Sequence, residues 1–224
     1  MTVLIDYLLT GEWTSDNYQI DDGYEYVNLQ LPSGTLWATT NVGARSPEEF
    51  GDYFAWGEIQ PKEAYEWDNY KWCNGSYNEM TKYCTDPNFG TVDHRKVLLM
   101  SDDAAFKNIS LRWRMPTYDE VYELMTYCTW EWAEINGVWG YRVKNPNSSN
   151  ERYLFLPAAG YKIGGELRGV GENGFYWTRT LYPDANADAY NLEFNQPDIS
   201  YWEKRIYFEE RFFGFPVRAV LIRH

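Results

Sequence analysis

From Tyr24 the chain alternates. Tyr24, Tyr26, Asn28 and Gln30 take one side and Glu25, Val27, Leu29 and Leu31 the other, before Pro32-Ser33-Gly34 turns into Thr35-Leu36-Trp37-Ala38-Thr39. A period of two with a Pro/Gly break predicts an opening β-hairpin. The helical period takes over at Thr117, where Glu120 completes a capping box after Pro116, and Val121, Leu124, Met125 and Cys128 follow as a core stripe. A shorter helix is expected with Ser101 as its cap and Asp102 and Asp103 in its first turn. Strand-like runs return at Tyr153-Leu154-Phe155-Leu156, Gly174 to Thr180, Ala189 to Asn195 and Phe215 to Ile222. In the third run Tyr190, Leu192 and Phe194 are expected to face inward and Asn191, Glu193 and Asn195 to face solvent.

Between Gly51 and Cys84 no period is sustained, which predicts long packed loops. Their aromatics, Tyr53, Phe54, Trp56, Tyr65, Trp67, Tyr70 and Trp72, are expected to anchor the loops rather than touch ligand. Several strand-like runs, two helices and long loops make α+β the expected fold class. Residues 1–22 read as an N-terminal extension suited to packing or attachment, and residues 23–224 as one domain.

Composition changes the picture in one respect. The chain carries 11 Trp, 20 Tyr and 11 Phe, 19% of its residues, at a mean hydropathy of −0.60. That is more aromatic surface than the core of a polar chain needs, so part of it is expected at the surface. The net charge of −13, without a Lys/Arg cluster, argues against nucleic acid and against an anionic membrane surface as partners. No apolar run reaches the roughly 20 residues of a membrane span, and Met1 to Thr10 lacks the basic start and long apolar centre of a signal peptide. The expectation is a mature fragment with a new initiator Met, or a protein that leaves the cell inside a phage particle, located at an extracellular surface or in a virion. Cys73, Cys84 and Cys128 form no CxxC pair and only His94 and His224 accompany them, so reduced thiols are expected over a zinc site or a disulfide framework.

The segment from Tyr176 to Val220 carries the candidate chemistry. Tyr176, Trp177, Tyr190, Leu192, Phe194, Gly214, Val217 and Arg218 read as scaffold, and Arg218 is expected to pair with an acid. The candidate ligand-binding residues between them are Arg179, Tyr182, Asp184, Asn186, Asp188, Asn191, Glu193, Asn195, Asp198, Tyr201, Trp202, Glu203, Tyr207, Phe208, Glu209 and Phe212. Aromatic rings offer large contact areas at low rotamer-entropy cost, and amide, acid and guanidinium groups add adaptable hydrogen bonds. The competing reading is strand packing beside a solvated charged face. No catalytic set stands out: His94 lies between Asp93 and Arg95 with no marked nucleophile, and no acid pair is singled out. No cofactor is expected. Asp52, Glu58, Asp102 and Asp103 are the oxygen ligands a structural calcium ion would take, but their spacing is not that of an EF-hand and a capping role is preferred for the last two.

Several phrases together resemble the FISUMP (major paralogous domain) family, common in gut Bacteroidetes and their phages. They are Leu31 to Ala38 (LPSGTLWA), Asn41 to Ala44 (NVGA), Gly51 to Glu58 (GDYFAWGE), Tyr70 to Gly75 (YKWCNG), Thr81 to Thr85 (TKYCT), Asp102 to Ala105 (DDAA), Trp113 to Thr117 (WRMPT), Leu156 to Gly160 (LPAAG) and Gly214 to Arg218 (GFPVR). The resemblance implies a C-type lectin-like fold with small antiparallel β-sheets, whose long loops present a ligand surface. It also implies kinship with the variable proteins of diversity-generating retroelements, where codons near the C-terminus are rewritten at adenines. Glu193, Gln196, Trp202, Glu203, Lys204, Glu209 and Glu210 are not reachable in that way from Asn codons, so either the template uses other codons there or ordinary mutation placed them.

The function expected is a non-enzymatic receptor-binding or adhesin module recognising a cell-surface glycan or protein. Homo-oligomerisation, or attachment to a larger particle through residues 1–22, is part of that expectation. The alternatives are a structural subunit of a phage tail or pilus, and an enzyme related by fold to the formylglycine-generating oxidases. Those oxidases use a late cysteine pair, and this chain has no Cys after Cys128.

Overall fold

The computed structural model describes residues 19–21, 23–197 and 203–222, so Asp198, Tyr201, Trp202 and most of the N-terminal extension lie outside the described residues. The alternation at Tyr24 forms a hairpin, with β1 (Gln19–Asp21) pairing on β2 (Tyr24–Asn28) and β2 on β3 (Leu36–Asn41). The turn closes where the Gly34 N–H donates to the Leu31 carbonyl at 2.8 Å. Further along come α1 (Ala104–Asn108), β4 (Trp113–Arg114), α2 (Tyr118–Tyr127), β5 (Thr129–Ile135), β6 (Val138–Lys144) and β7 (Leu154–Pro157). They are followed by β8 (Tyr161–Ile163), β9 (Glu166–Arg168), β10 (Asn173–Leu181), β11 (Asp188–Asn195), β12 (Lys204–Glu210) and β13 (Arg218–Leu221).

The strands build sheets of order β1-β2-β3-β13-β4, β10-β11-β12 and β5-β6-β7, with β8-β9 as a separate ribbon, and every one of these pairings is antiparallel. The class is α+β and mainly β. Helix α2 begins as its capping box requires: Thr117 Oγ1 accepts from Glu120 N at 3.2 Å, and Glu120 Oε2 accepts from Thr117 N at 2.8 Å. Burial opposes ionisation of Glu120, but the two Arg114 contacts at 2.7 Å and the Thr117 bonds hold its carboxyl below the ordinary range. Val121, Leu124 and Cys128 are buried against β10 and β11, as the stripe predicts.

The shorter helix is capped differently from the expectation. Asp103, not Ser101, is the cap of α1, accepting from Ala105 N and Phe106 N, and Ser101 lies one turn earlier in a 3₁₀ segment. Asp103 is fully buried and also accepts from Met115 N at 3.0 Å, so its carboxylate ties two elements together. Arg218 corrects the sequence expectation too. Its guanidinium donates to Asn41 Oδ1 at 2.8 Å and to the carbonyls of Ala38 and Thr39 at 3.2 and 2.7 Å, and to no carboxylate among the described residues. The β13–β3 pairing shifts register between Arg218 and Val220, and β3 carbonyls stand in for the acid. Burial lowers this guanidinium to about 10.

The β5–β6 hairpin was not foreseen. Asn136 and Gly137 both take positive φ, 50° and 84°, as a two-residue turn matching the twist of its strands requires.

The loops after Gly51 hold their shape through aromatic anchors, as predicted. Tyr70 Oη donates to the Trp56 carbonyl at 2.7 Å, Trp56 Nε1 to the Thr178 carbonyl at 2.8 Å, and Trp72 Nε1 to the Gly57 carbonyl at 2.8 Å. At their centre Arg211, fully buried, donates to Tyr70 Oη (2.8 Å) and to the carbonyls of Tyr83 (3.2 Å), Asn186 (2.9 Å) and Lys82 (3.1 Å). Trp56 and Tyr70 lie at 4.9 and 5.2 Å from the same guanidinium. All three cysteines are free thiols, and burial pushes Cys128 up to about 12.

Candidate ligand-binding surface

The sheet β10-β11-β12 carries most of the described candidates, and its register sorts them by face. Tyr176, Leu192 and Ile206 stand in line across the three strands, as do Trp177, Asn191 and Tyr207 on the opposite face. The first face packs on α2 and the β5–β6 hairpin. The second adjoins the cluster of Trp177, Phe175 and Phe215.

β11 is the middle strand and is buried on both faces, so Asn191, Glu193 and Asn195 do not face solvent as the alternation predicted. A strand reads as half-exposed only if one of its faces is bare. Here Arg205 and Tyr207 of β12 and Phe175 and Trp177 of β10 flank those side chains. Asn191 is 0% exposed, and neither its Oδ1 nor its Nδ2 finds a hydrogen-bond partner. Glu193 is 1% exposed, with Oε2 accepting from Arg205 Nε at 2.9 Å and Oε1 unpartnered. Burial raises its carboxyl and Arg205 opposes the rise.

A line of rings runs from helix to edge strand, with Tyr190 and Phe208 on the face of Leu192 and Ile206, opposite Asn191 and Glu193. Tyr122, 57% exposed, stacks on Tyr118 (6.3 Å between centroids, 10° between planes), and Tyr118 meets Tyr190 at 4.6 Å. Tyr190 meets Tyr182 edge-on at 5.3 Å, Tyr182 stacks on Phe208 at 3.8 Å and 7°, and Phe208 stacks on Tyr207 at 4.5 Å. Arg205 closes the line, 3.7 Å over the Tyr207 ring. Tyr118, Tyr182, Tyr190, Tyr207 and Phe208 are half-buried, so each ring is held by its neighbours and shows part of its surface.

Acids edge this line. Asp188 stands opposite Glu210 in the β11–β12 pairing, and burial followed by the charge of Glu210 raises it to about 6. Glu209, half-buried, is raised to about 7 by burial, then by Glu193, Asp188 and Glu210. Asp184 and Glu203 are exposed.

Of the candidates, Tyr182, Asp184, Asp188, Tyr207 and Phe208 are brought together on or beside the ring line, while Asn191, Glu193 and Glu209 belong to the opposite face of the sheet. Four others are part of the framework. Arg179 is buried, bonded to the Leu98 carbonyl and 3.8 Å from Asp103. Asn186 is fully buried, with Oδ1 accepting from Thr85 N and Asp86 N. Asn195 accepts from Asn173, and Phe212 packs against Trp67 at 4.9 Å. Sequence reasoning missed Tyr118, Tyr122 and Arg205. The two tyrosines, four apart on α2 and outside its core stripe, were the legible signal.

Among the described residues, three of the four carboxylates considered for calcium, all but Asp52, are engaged by protein donors. Asp102 takes Lys82 and Tyr83, Asp103 caps α1, and Glu58 takes Lys62 at 3.0 Å and Lys71 N at 2.8 Å. Among the described residues, no group of three or more His, Cys, Asp or Glu is placed to hold a metal ion, and no helix is long and apolar enough to cross a membrane. Comparison with known proteins returns no significant match to a family model, a curated protein or a solved structure.

Proposed function

We propose that the chain is a non-enzymatic ligand-binding module, of C-type lectin-like kind and FISUMP kinship, that recognises a cell-surface glycan or protein through the edge of the β10-β11-β12 sheet. The observation that carries this reading is the ring line Tyr118–Tyr190–Tyr182–Phe208–Tyr207, half-exposed and bordered by Asp184, Asp188 and Glu210. Rings already stacked in the free protein lose little freedom on binding, and they offer flat faces to sugar C–H groups or to apolar side chains. The bordering carboxylates accept hydrogen bonds from hydroxyl or cationic groups. Placement of the module on a bacterial or phage surface belongs to the same proposal, as does retroelement-driven variation of the segment.

The test is a glycan array and a cell-surface binding assay on the parent protein and on alanine variants at Tyr182, Tyr207 and Phe208, with thermal unfolding recorded in parallel. Loss of binding by roughly tenfold or more per ring with the fold retained is expected. Unchanged binding in all three variants would contradict the proposal.

A further inference from the structure

On the Glu209 side of β12, Tyr161, Phe175, Phe213 and Phe215 enclose a cavity of about 120 Å³ whose remaining lining residue is Glu209. The rings meet at angles: Tyr161 stands edge-on to Phe175 at 5.0 Å and to Phe213 at 5.7 Å, and Phe175 lies 5.1 Å from Phe215. Phe215 is buried and stacks on Trp177 at 4.2 Å, while Tyr161, Phe175, Phe213 and Glu209 are half-buried, so the box has a fixed floor and an accessible rim.

We propose that this aromatic box with one carboxylate is a binding site for an alkylammonium head group. An aromatic face attracts a cation through its negative quadrupole, and a carboxylate at the wall supplies full charge. No basic residue lines the cavity, and Glu209 forms no ion pair among the described residues. Around it Asp188, Glu193 and Glu210 add negative charge, which Arg205, bonded to Glu193, offsets only in part. Burial and the neighbouring acids hold the Glu209 carboxyl up near neutrality, and a bound ammonium would add a counter-charge beside it. An uncharged apolar guest would leave that carboxylate desolvated without compensation. The inference rests on the reading of this sheet as a ligand surface and names a ligand class for it.

The experiment is titration of the full chain with choline, with its neutral carbon isostere 3,3-dimethylbutan-1-ol and with N-acetyl-lysine methylamide, followed by calorimetry and by tryptophan fluorescence, Trp177 lying against the floor of the box. Saturable binding of an ammonium compound, roughly tenfold or more tighter than the neutral isostere, is expected, and Phe213→Ala and Glu209→Gln should each weaken it. Glu209→Gln preserves shape and keeps the test valid if Phe213→Ala does not fold. Tighter binding of choline assigns the site to a quaternary head group and tighter binding of the lysine compound to a lysine side chain; either order supports the proposal. No saturable binding, equal affinity for the neutral isostere, or unchanged affinity in Glu209→Gln overturns it. If choline fails while alanine at Tyr182 or Phe208 still abolishes surface binding, the cage is wrong and the broader reading stands.

Discussion

Asn186 and Asn191 lie five positions apart in sequence, and both are fully buried, yet they belong to regions built on opposite terms. Asn186 sits in the loop framework around Arg211, where its Oδ1 accepts from Thr85 and Asp86, its Nδ2 donates to the Pro183 carbonyl at 3.1 Å and its own carbonyl receives Arg211. Asn191 sits in the β10-β11-β12 sheet with both side-chain polar atoms unpartnered, beside a glutamate with one free oxygen. The vocabulary of aromatic rings, amides and charges is shared; the pairing differs. Around Arg211 and Asn186 the buried polar groups are paired and lock loops in place, whereas a buried polar group without a partner costs about 1–3 kcal/mol of stability.

The sharpest way to break this contrast is at Arg211. Arg211→Met strips donors from Tyr70 and from the Lys82, Tyr83 and Asn186 carbonyls, and is expected to cost about 3–5 kcal/mol in urea unfolding, because buried partners of a charge are left without it. A loss under about 1 kcal/mol would remove Arg211 from the framework. Next in size is Gly174→Ala. A Cβ at Gly174 would fall 2.0 Å from the Phe194 ring, so the β10-β11-β12 sheet, which depends on packing here, should lose about 1–3 kcal/mol. Tyr182→Ala is expected to change stability by about 1 kcal/mol or less while weakening ligand binding roughly tenfold, since its ring stacks at the rim of the fold.

The smallest of these effects is the response to pH. Glu209 and Asp188 have native values of about 7 and about 6, raised above their ordinary 4.5 and 3.8. Between pH 8 and pH 6 the folded state therefore takes up protons that the unfolded chain does not, and stability rises as pH falls. Discounted for their partial exposure the gain is about 1 kcal/mol, or roughly 2–4 °C in Tm at this chain length, and Glu209→Gln should flatten it. A Tm that falls over that interval would contradict the crowding of acids on β12.

Local signals were legible in the chain, and non-local ones were not. The hairpin at Tyr24, the Thr117 capping box and the anchoring role of Trp56 and Tyr70 each depend on neighbours in sequence or on plain burial, and each is found. Asn136-Gly137 was an equally local hairpin signal that went unused. The outward placement of Asn191 and Glu193 failed because alternation cannot tell whether the second face of a strand is covered, and here that face lies among Phe175 and Trp177 of β10 and Arg205 and Tyr207 of β12. A buried guanidinium calls for acceptors, which predicts an acid at Arg218, but Asn41 and carbonyls at a register shift take its Nε and Nη1 instead, with Nη2 left without a partner among the described residues. Of the candidate site, the rings and acids of β12 were visible as composition. Their junction with Tyr118 and Tyr122 on α2 was hidden, because it joins segments some 60 to 90 residues apart.

One paired measurement tests the contrast most directly and requires no knowledge of the ligand: the unfolding free energies of Asn186→Leu and Asn191→Leu against the parent. Asn186→Leu should lose about 2–4 kcal/mol, since the N–H groups of Thr85 and Asp86 are left buried without their acceptor. Asn191→Leu, which removes two polar atoms that have no partner, should leave stability unchanged or raise it by up to about 1 kcal/mol. Equal losses at the two positions would contradict the difference in polar pairing between the surroundings of Arg211 and the β10-β11-β12 sheet.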